Sequence, residues 1–364
     1  MTASTFTRHA ARLAALILGA MLSTAIFAAP PPGTYIVKNL VSDPLGPAAV
    51  NRDANLINGW GITFRGTSPA WVSSNGQNKS TIYDGLGNII APLSPVSIPG
   101  SPTGVVSNIS AADFGGAAFI FALENPGQVA AWSGGPAATT VFTAPDGAVY
   151  KGLTIAGNGT ALQLYLADFH NGKIDVLTSG FVKLPPVAGR FVDPTLPTGF
   201  HPFNILNLNG NLFVAYALKD PNSEDELHAP GLGFVNVFDP NGFLLARVGT
   251  RGKLNAPWGM ALAPAGFGTF ANRLLVGNFG DGTINAFNLS PYSFAGQLGS
   301  STGGIVKIDG LWGIAFGNGV RNQPTNTLFF AAGPADESQG LYGRIDAVPP
   351  APGDEDDQGE NEQD

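Results

Sequence analysis

Six times along the chain a turn opens into a short apolar strand by the same step: a turn residue, often an aromatic, then glycine (asparagine in the fourth), then an aliphatic. The step reads Gly59-Trp60-Gly61-Ile62, Pro102-Thr103-Gly104-Val105, Tyr150-Lys151-Gly152-Leu153, Pro202-Phe203-Asn204-Ile205, Pro257-Trp258-Gly259-Met260 and Leu311-Trp312-Gly313-Ile314. The anchors fall at 61, 104, 152, 204, 259 and 313. Their period of about 50 residues is slightly long for a four-stranded propeller blade of roughly 40–50. A glycine at five of the six anchors suits a place where backbones crowd around an axis, because a residue without Cβ lets a neighbour approach closely. Trp60, Trp258 and Trp312 are expected to pack between blades.

Each anchor is followed by a second strand, such as Trp71-Val72-Ser73-Ser74, Phe119-Ile120-Phe121-Ala122-Leu123 or Leu164-Tyr165-Leu166-Ala167. In two blades the third strand follows an Asn-Gly or Asp-Gly pair, Asn171-Gly172 and Asp281-Gly282, which supplies the positive φ angles of a tight hairpin. Alternation then puts Ile174 with Val176, and Ile284 with Ala286, on one face. Composition agrees. Glycine is 49 of 364 residues and charged residues are only 12%, so the long amphipathic faces of a helical protein are missing. The chain after the last anchor is too short for a full blade, and Thr34-Tyr35-Ile36-Val37-Lys38-Asn39-Leu40 stands alone before the first. The expected fold is therefore all-β: a six-bladed β-propeller whose ring closes when this N-terminal strand pairs with the last blade.

The two ends read differently from the body. Residues 1–29 have a basic start (Arg8, Arg12), an apolar run from Leu13 to Phe27 and a small-residue exit at Ala28-Ala29. These are the three parts of a cleavable signal peptide, so the mature protein is expected to be secreted, periplasmic or extracellular. No later stretch is apolar and long enough for a transmembrane segment, which needs about 20 residues. The propeller is expected over 30–348. Residues 349–364 form an acidic tail whose last stretch, Gly353 to Asp364, holds no basic or apolar residue and is expected to be disordered. This tail accounts for most of the net charge of −8. The body is close to neutral and carries no basic stripe for nucleic acid. Cysteine is absent, which excludes thiolate metal sites and a cysteine nucleophile.

Several short motifs together resemble a known family. They are Asn39-Leu40-Val41-Ser42-Asp43, Asn58-Gly59-Trp60-Gly61-Ile62, Tyr150-Lys151-Gly152-Leu153, Pro202-Phe203-Asn204, Leu254-Asn255-Ala256-Pro257-Trp258-Gly259, Gly277-Asn278-Phe279-Gly280-Asp281-Gly282 and Gly310-Leu311-Trp312-Gly313. From about Tyr35 to Asp346 the chain resembles uncharacterised secreted bacterial six-bladed propellers, distantly similar to NHL-repeat and gluconolactonase-like propellers. The resemblance implies fold and location and brings no catalytic residues.

Propellers bind ligands at the axial channel or on the loops above it. The residues closing the second strands include Glu124, Asp168 and Asn278, three oxygen donors from three blades. A hard cation such as Ca²⁺ takes six to eight oxygens. Gluconolactonase-like propellers use an axial metal in a similar way, to polarise a lactone carbonyl and activate water. The alternative reading is that these residues satisfy backbone groups in turns. His170 and His201 are candidates for a general base or ligand, or for hydrogen-bonded turn positions. Gly299-Ser300-Ser301-Thr302-Gly303 matches a nucleophile elbow only in letters, since a strand rather than a helix follows it. Lys219 to Gly231 is the longest polar insertion within a repeat, and long loops on a rigid ring carry recognition. Three functions stand open. The first is a binding or scaffold module for a protein, glycan or small-molecule ligand. The second is a Ca²⁺-dependent hydrolase of the lactonase type. The third is a structural envelope component.

Overall fold

The computed structural model of the chain describes residues 34–348. The expected leader and acidic tail lie outside the described residues. Six sheets are arranged around an axis. Blade 1 begins with Gly59–Thr63, blade 2 with Pro102–Ser107, blade 3 with Tyr150–Gly157, blade 4 with Phe200–Leu208, blade 5 with Pro257–Leu262 and blade 6 with Leu311–Phe316. These innermost strands contact one another in a closed circuit, blade 6 returning to blade 1. Blade 6 is completed by Thr34–Ser42, which pairs antiparallel with Leu341–Ala347 from Tyr35↔Ala347 to Ser42↔Leu341. The ring thus closes as the sequence predicts. Among the described residues no helix is long and apolar enough to cross a membrane.

The anchors are β-bulges. In all six blades the register between first and second strands shifts at the anchor, for example between Gly59 and Ile62 and between Leu311 and Ile314. A bulge bends the strand and turns its backbone toward the neighbouring blade. A Cβ on Gly61 would sit 2.6 Å from the Thr103 carbonyl oxygen of blade 2, and one on Gly313 would sit 2.6 Å from the Trp60 carbonyl oxygen of blade 1. Blade 4 solves the problem differently. Asn204 Nδ2 donates to the Trp258 carbonyl of blade 5 at 2.8 Å, and its Oδ1 accepts from the Ile205 amide at 2.8 Å. The side chain there bridges a gap that direct backbone packing closes elsewhere.

The core follows from strand alternation. On the second strand of blade 4, Asn211–Leu218, Leu212 and Val214 face blade 3, whereas Phe213 and Ala215 face blade 5. Both faces are buried, so the strand reads as a continuous apolar run. Six such clusters fill the six gaps between blades, and a seventh lies on the axis. Ile174 with Val176, and Ile284 with Ala286, pack together as the alternation predicts. Gly299–Ser300 is a two-residue strand against Thr34 and Tyr35, with a turn after it, which does not build a nucleophile elbow.

Candidate functional site at the axial mouth

The axis is plugged by aromatic rings. Trp60 stacks on Trp312 at 3.7 Å, Phe279 stacks on Trp312 at 3.8 Å, and Trp258 meets Trp312 edge-on at 5.8 Å. Trp60, Trp258 and Trp312 come from the anchor positions just before the bulge glycines, which point inward, and Phe279 follows the second strand of blade 5. At the same position blade 3 carries Lys151. Its side chain is only 2% exposed and its Nζ is held by Glu124 Oε1. The ammonium lies 5.1 Å from the Trp60 ring centroid, a cation–π distance. Trp258 Nε1 donates to the Lys151 carbonyl at 3.1 Å.

Around this lysine the blades deliver carboxylates. Glu124 comes from the end of the second strand of blade 2, and its Oε2 accepts from Asn75 Nδ2 of blade 1 at 3.2 Å. Glu226, Asp225 and His228 come from the insertion in blade 4, with Glu226 Oε1 3.0 Å from His228 Nε2. Glu337 comes from blade 6 and accepts from Asn58 Nδ2 at 3.0 Å and Trp312 Nε1 at 3.1 Å. Blade 5 supplies Phe279, whose ring is 5.1 Å from that of His228. All six blades contribute.

The electrostatics are coupled. Burial works against the charged form of Lys151, but Glu124 and Glu226 outweigh it and raise its pKa. The pKa of Glu337 is also raised, first by burial and then by Glu226 and Glu124, against the lowering influence of Asn58 and Lys151. His228 is raised chiefly by its hydrogen bond to Glu226. Glu337 ends a run of three non-glycine residues in the left-handed region, with φ of +54° at Ala335, +50° at Asp336 and +62° at Glu337. Each such residue costs roughly 1–2 kcal/mol.

The structure gives the three sequence-predicted oxygen donors separate partners. Asp168 accepts from the amides of Val149 at 3.3 Å and Asn171 at 3.1 Å and from Asn171 Nδ2 at 2.8 Å. Asn278 accepts from the Asn255 amide at 3.1 Å and donates to the Lys253 carbonyl at 2.7 Å. Ser74 does the same work in blade 1, binding the carbonyls of Asn55 and Ile57. All three hold the chain entering the first strand of their own blade. Glu124 belongs one residue further on. Its amide donates to the carbonyl just before the first strand, Ser101, as Asn75, Phe169, Phe279 and Gly333 do to Asn58, Val149, Ala256 and Gly310. Successive strand residues face opposite ways, so Glu124 turns to the mouth while Asp168 and Asn278 turn from it. With a buried ammonium already on Glu124, this set does not fit a bound Ca²⁺.

Asp168 lies instead with Asp146 and Asp175, three carboxylates whose oxygens are within 4.8 Å of one another. Lys173 and Lys183 run among them, Lys183 at 2.6 Å from Asp175 and 3.0 Å from Asp146. The two lysines offset most of the cluster's negative charge. His170 Nδ1 is 2.9 Å from Glu224 Oε1, tying the blade 4 insertion to blade 3. His201 Nδ1 is 2.6 Å from the Phe169 carbonyl. His170 sits in a turn and His201 in the first strand of blade 4, and each has a protein partner. Lys151, Glu226, His228, Phe279 and Glu337 were not singled out in the sequence, although Lys151 had a signal: it is the one charged residue at an anchor position otherwise filled by Trp, Phe or Thr.

Fold and site together define a six-bladed β-propeller with a plugged axis and a polar mouth. No protein-family model matches the chain. It is 32% identical over 339 residues to uncharacterized protein L690 of Acanthamoeba polyphaga mimivirus, covering 86% of each chain. It is also 32% identical over 332 residues to uncharacterized protein R648 of the same virus, covering 86% of this chain and 80% of the relative. The chain belongs to the family of these viral proteins, whereas its motifs had pointed to bacterial ones. Among solved structures it is similar to a streptogramin B lyase (TM-score 0.53, 12% identity, 86% of this chain and 98% of the other) and a glucose dehydrogenase (TM-score 0.55, 13% identity, 86% and 99%). At such identities the likeness is one of fold.

Proposed function

We propose that the chain is a binding propeller whose axial mouth receives a positively charged group on an organic frame, either a small amine or the basic side chain of a partner protein. One observation carries the reading: Glu124, Glu226 and Glu337, from three blades, gather around the single buried cation Lys151. Negative charge is in excess there, above an aromatic floor of Phe279 and Trp312. Carboxylates and aromatic faces together are the usual recognition chemistry for organic cations. The strained turn ending at Glu337 supports it, since backbone strain concentrates at ligand clamps. The leader in the sequence supports export, which would bring the mouth to ligands outside the cytoplasm.

Calorimetric titration tests this with arginine methyl ester and tetramethylammonium, against neutral N-acetylglucosamine. The expected result is saturable binding of the cations, weakened by salt and about tenfold weaker in Glu337→Gln, a loss of ~1.4 kcal/mol. Binding of the sugar alone, unchanged in Glu337→Gln, would return the glycan reading.

A further inference from the structure

Blade 3 is the one sheet with only three strands, Tyr150–Gly157, Leu162–Asp168 and Lys173–Thr178. The chain beyond it begins a fourth, with Thr178 N–H donating to Val182 at 2.9 Å and Leu184 N–H donating to Val176 at 2.8 Å. Pro185 and Pro186 then stop the pairing, because proline has no N–H to continue the ladder. The chain swings out and returns at Phe191, whose amide donates to Gly242 of blade 4 at 2.8 Å. Under this arch, between blades 3 and 4, is a cavity of about 420 Å³.

The charges lining the cavity are uneven. Lys173 and Lys183 are paired with Asp146 and Asp175. Arg190 is not. Its guanidinium lies over the Phe243 ring, 3.1 Å from the centroid, and its Nη1 is buried without an acceptor. Among the described residues it has no carboxylate partner. A buried donor left unmatched costs about 1–3 kcal/mol, and a planar guanidinium held flat by an aromatic ring is pre-organised for two parallel hydrogen bonds. The rest of the wall includes Ile174, Val176, Pro185 and Val187.

We infer that this cavity is a second binding site, for a small carboxylate on a flat apolar body, with Arg190 receiving the carboxylate. The lysines of the wall are held by Asp146, Asp168 and Asp175, which leaves Arg190 as the one lining cation without a counter-charge, and a single guanidinium matches a monoanion better than a dianionic phosphate. The volume falls within the range of small-ligand pockets, roughly 300–1,000 Å³. The inference does not depend on the reading of the axial mouth.

Fluorine NMR with the whole protein tests it, using para-fluorobenzoate and a fluorinated indole acetate as probes. Saturable line broadening is expected, displaced by benzoate but not by benzamide, and weaker for fluorophenyl phosphate. Arg190→Gln should weaken binding at least tenfold, and Glu337→Gln at the axial mouth should leave it unchanged. Arg190→Gln could loosen the arch, so Val187→Trp serves as the second variant: it narrows the cavity with Arg190 intact and should also abolish binding. Absence of saturable broadening by both carboxylates, or equal binding in Arg190→Gln and Val187→Trp, overturns the proposal.

Discussion

Two places in this ring gather carboxylates around lysine, and they are built to opposite ends. At the foot of blade 3, Asp146, Asp168 and Asp175 surround Lys173 and Lys183. Asp168, fully buried, also caps backbone amides. At the axial mouth Glu124, Glu226 and Glu337 surround one lysine, with half-buried His228 on Glu226. The first cluster, three carboxylates to two lysines, is assembled within one blade and its neighbouring turns and is nearly balanced. The second, three carboxylates to one lysine, is assembled from four blades and is not. Near-balance within a blade fits local structure; on the proposed reading, the larger imbalance where blades converge leaves charge for a ligand.

Replacing the lysine on each side sharpens this contrast most. Lys151→Met should cost about 3–5 kcal/mol at neutral pH, measured by denaturant midpoint, because it strands buried carboxylates without their counter-charge. The loss should shrink as pH falls. Glu337 already has a raised pKa and loses a lowering influence when Lys151 goes, so in the variant the folded state takes up protons more readily than the unfolded chain, and stability rises on acidification. Lys173→Met, with Lys183 still in place and a side chain 36% exposed, should cost under ~1 kcal/mol. Similar losses in the two variants would break the comparison.

A smaller effect is expected from Asp168→Ala. The amides of Val149 and Asn171 lose their acceptor, a cost of about 2 kcal/mol, while cation binding at the mouth is unaffected. Loss of binding in that variant would mean that the two clusters act together.

The smallest concerns His228. Its pKa is raised by Glu226, so its stabilising pairing is fully present below about pH 6.5, the unfolded value, and is lost as pH rises through the folded one. His228→Asn should therefore cost under ~1 kcal/mol in mild acid and nothing near pH 9. A pH-independent difference in melting temperature would show that the histidine acts by packing alone.

The ring was legible because its anchors answer a backbone constraint. A bulge meeting the next inner strand leaves no room for Cβ at Gly61 or Gly313, and that demand repeats visibly. The mouth was less legible because it depends on strand phase. Apolar runs in blades 2 and 3 end without marking which residue faces inward, so Glu124 was grouped with Asp168 and Asn278 although it lies one position on. Glu337 depends on a left-handed turn that nothing in Pro334-Ala335-Asp336-Glu337 announces. Glu226 and His228 sit in the insertion that stood out for its polarity, but not for its contacts.

Closing the last blade with the first strand has a consequence for birth as well as for stability. Thr34–Ser42 leaves the ribosome before every other strand of the propeller, and its partner, Leu341–Ala347, leaves last. At roughly 5–20 residues per second the first strand waits about 15–60 s for its mate, its edge unpaired and able to join another chain. A protein of this topology has an Achilles' interval during synthesis, and truncations that remove residues 341–347 should yield aggregates rather than a five-bladed remnant.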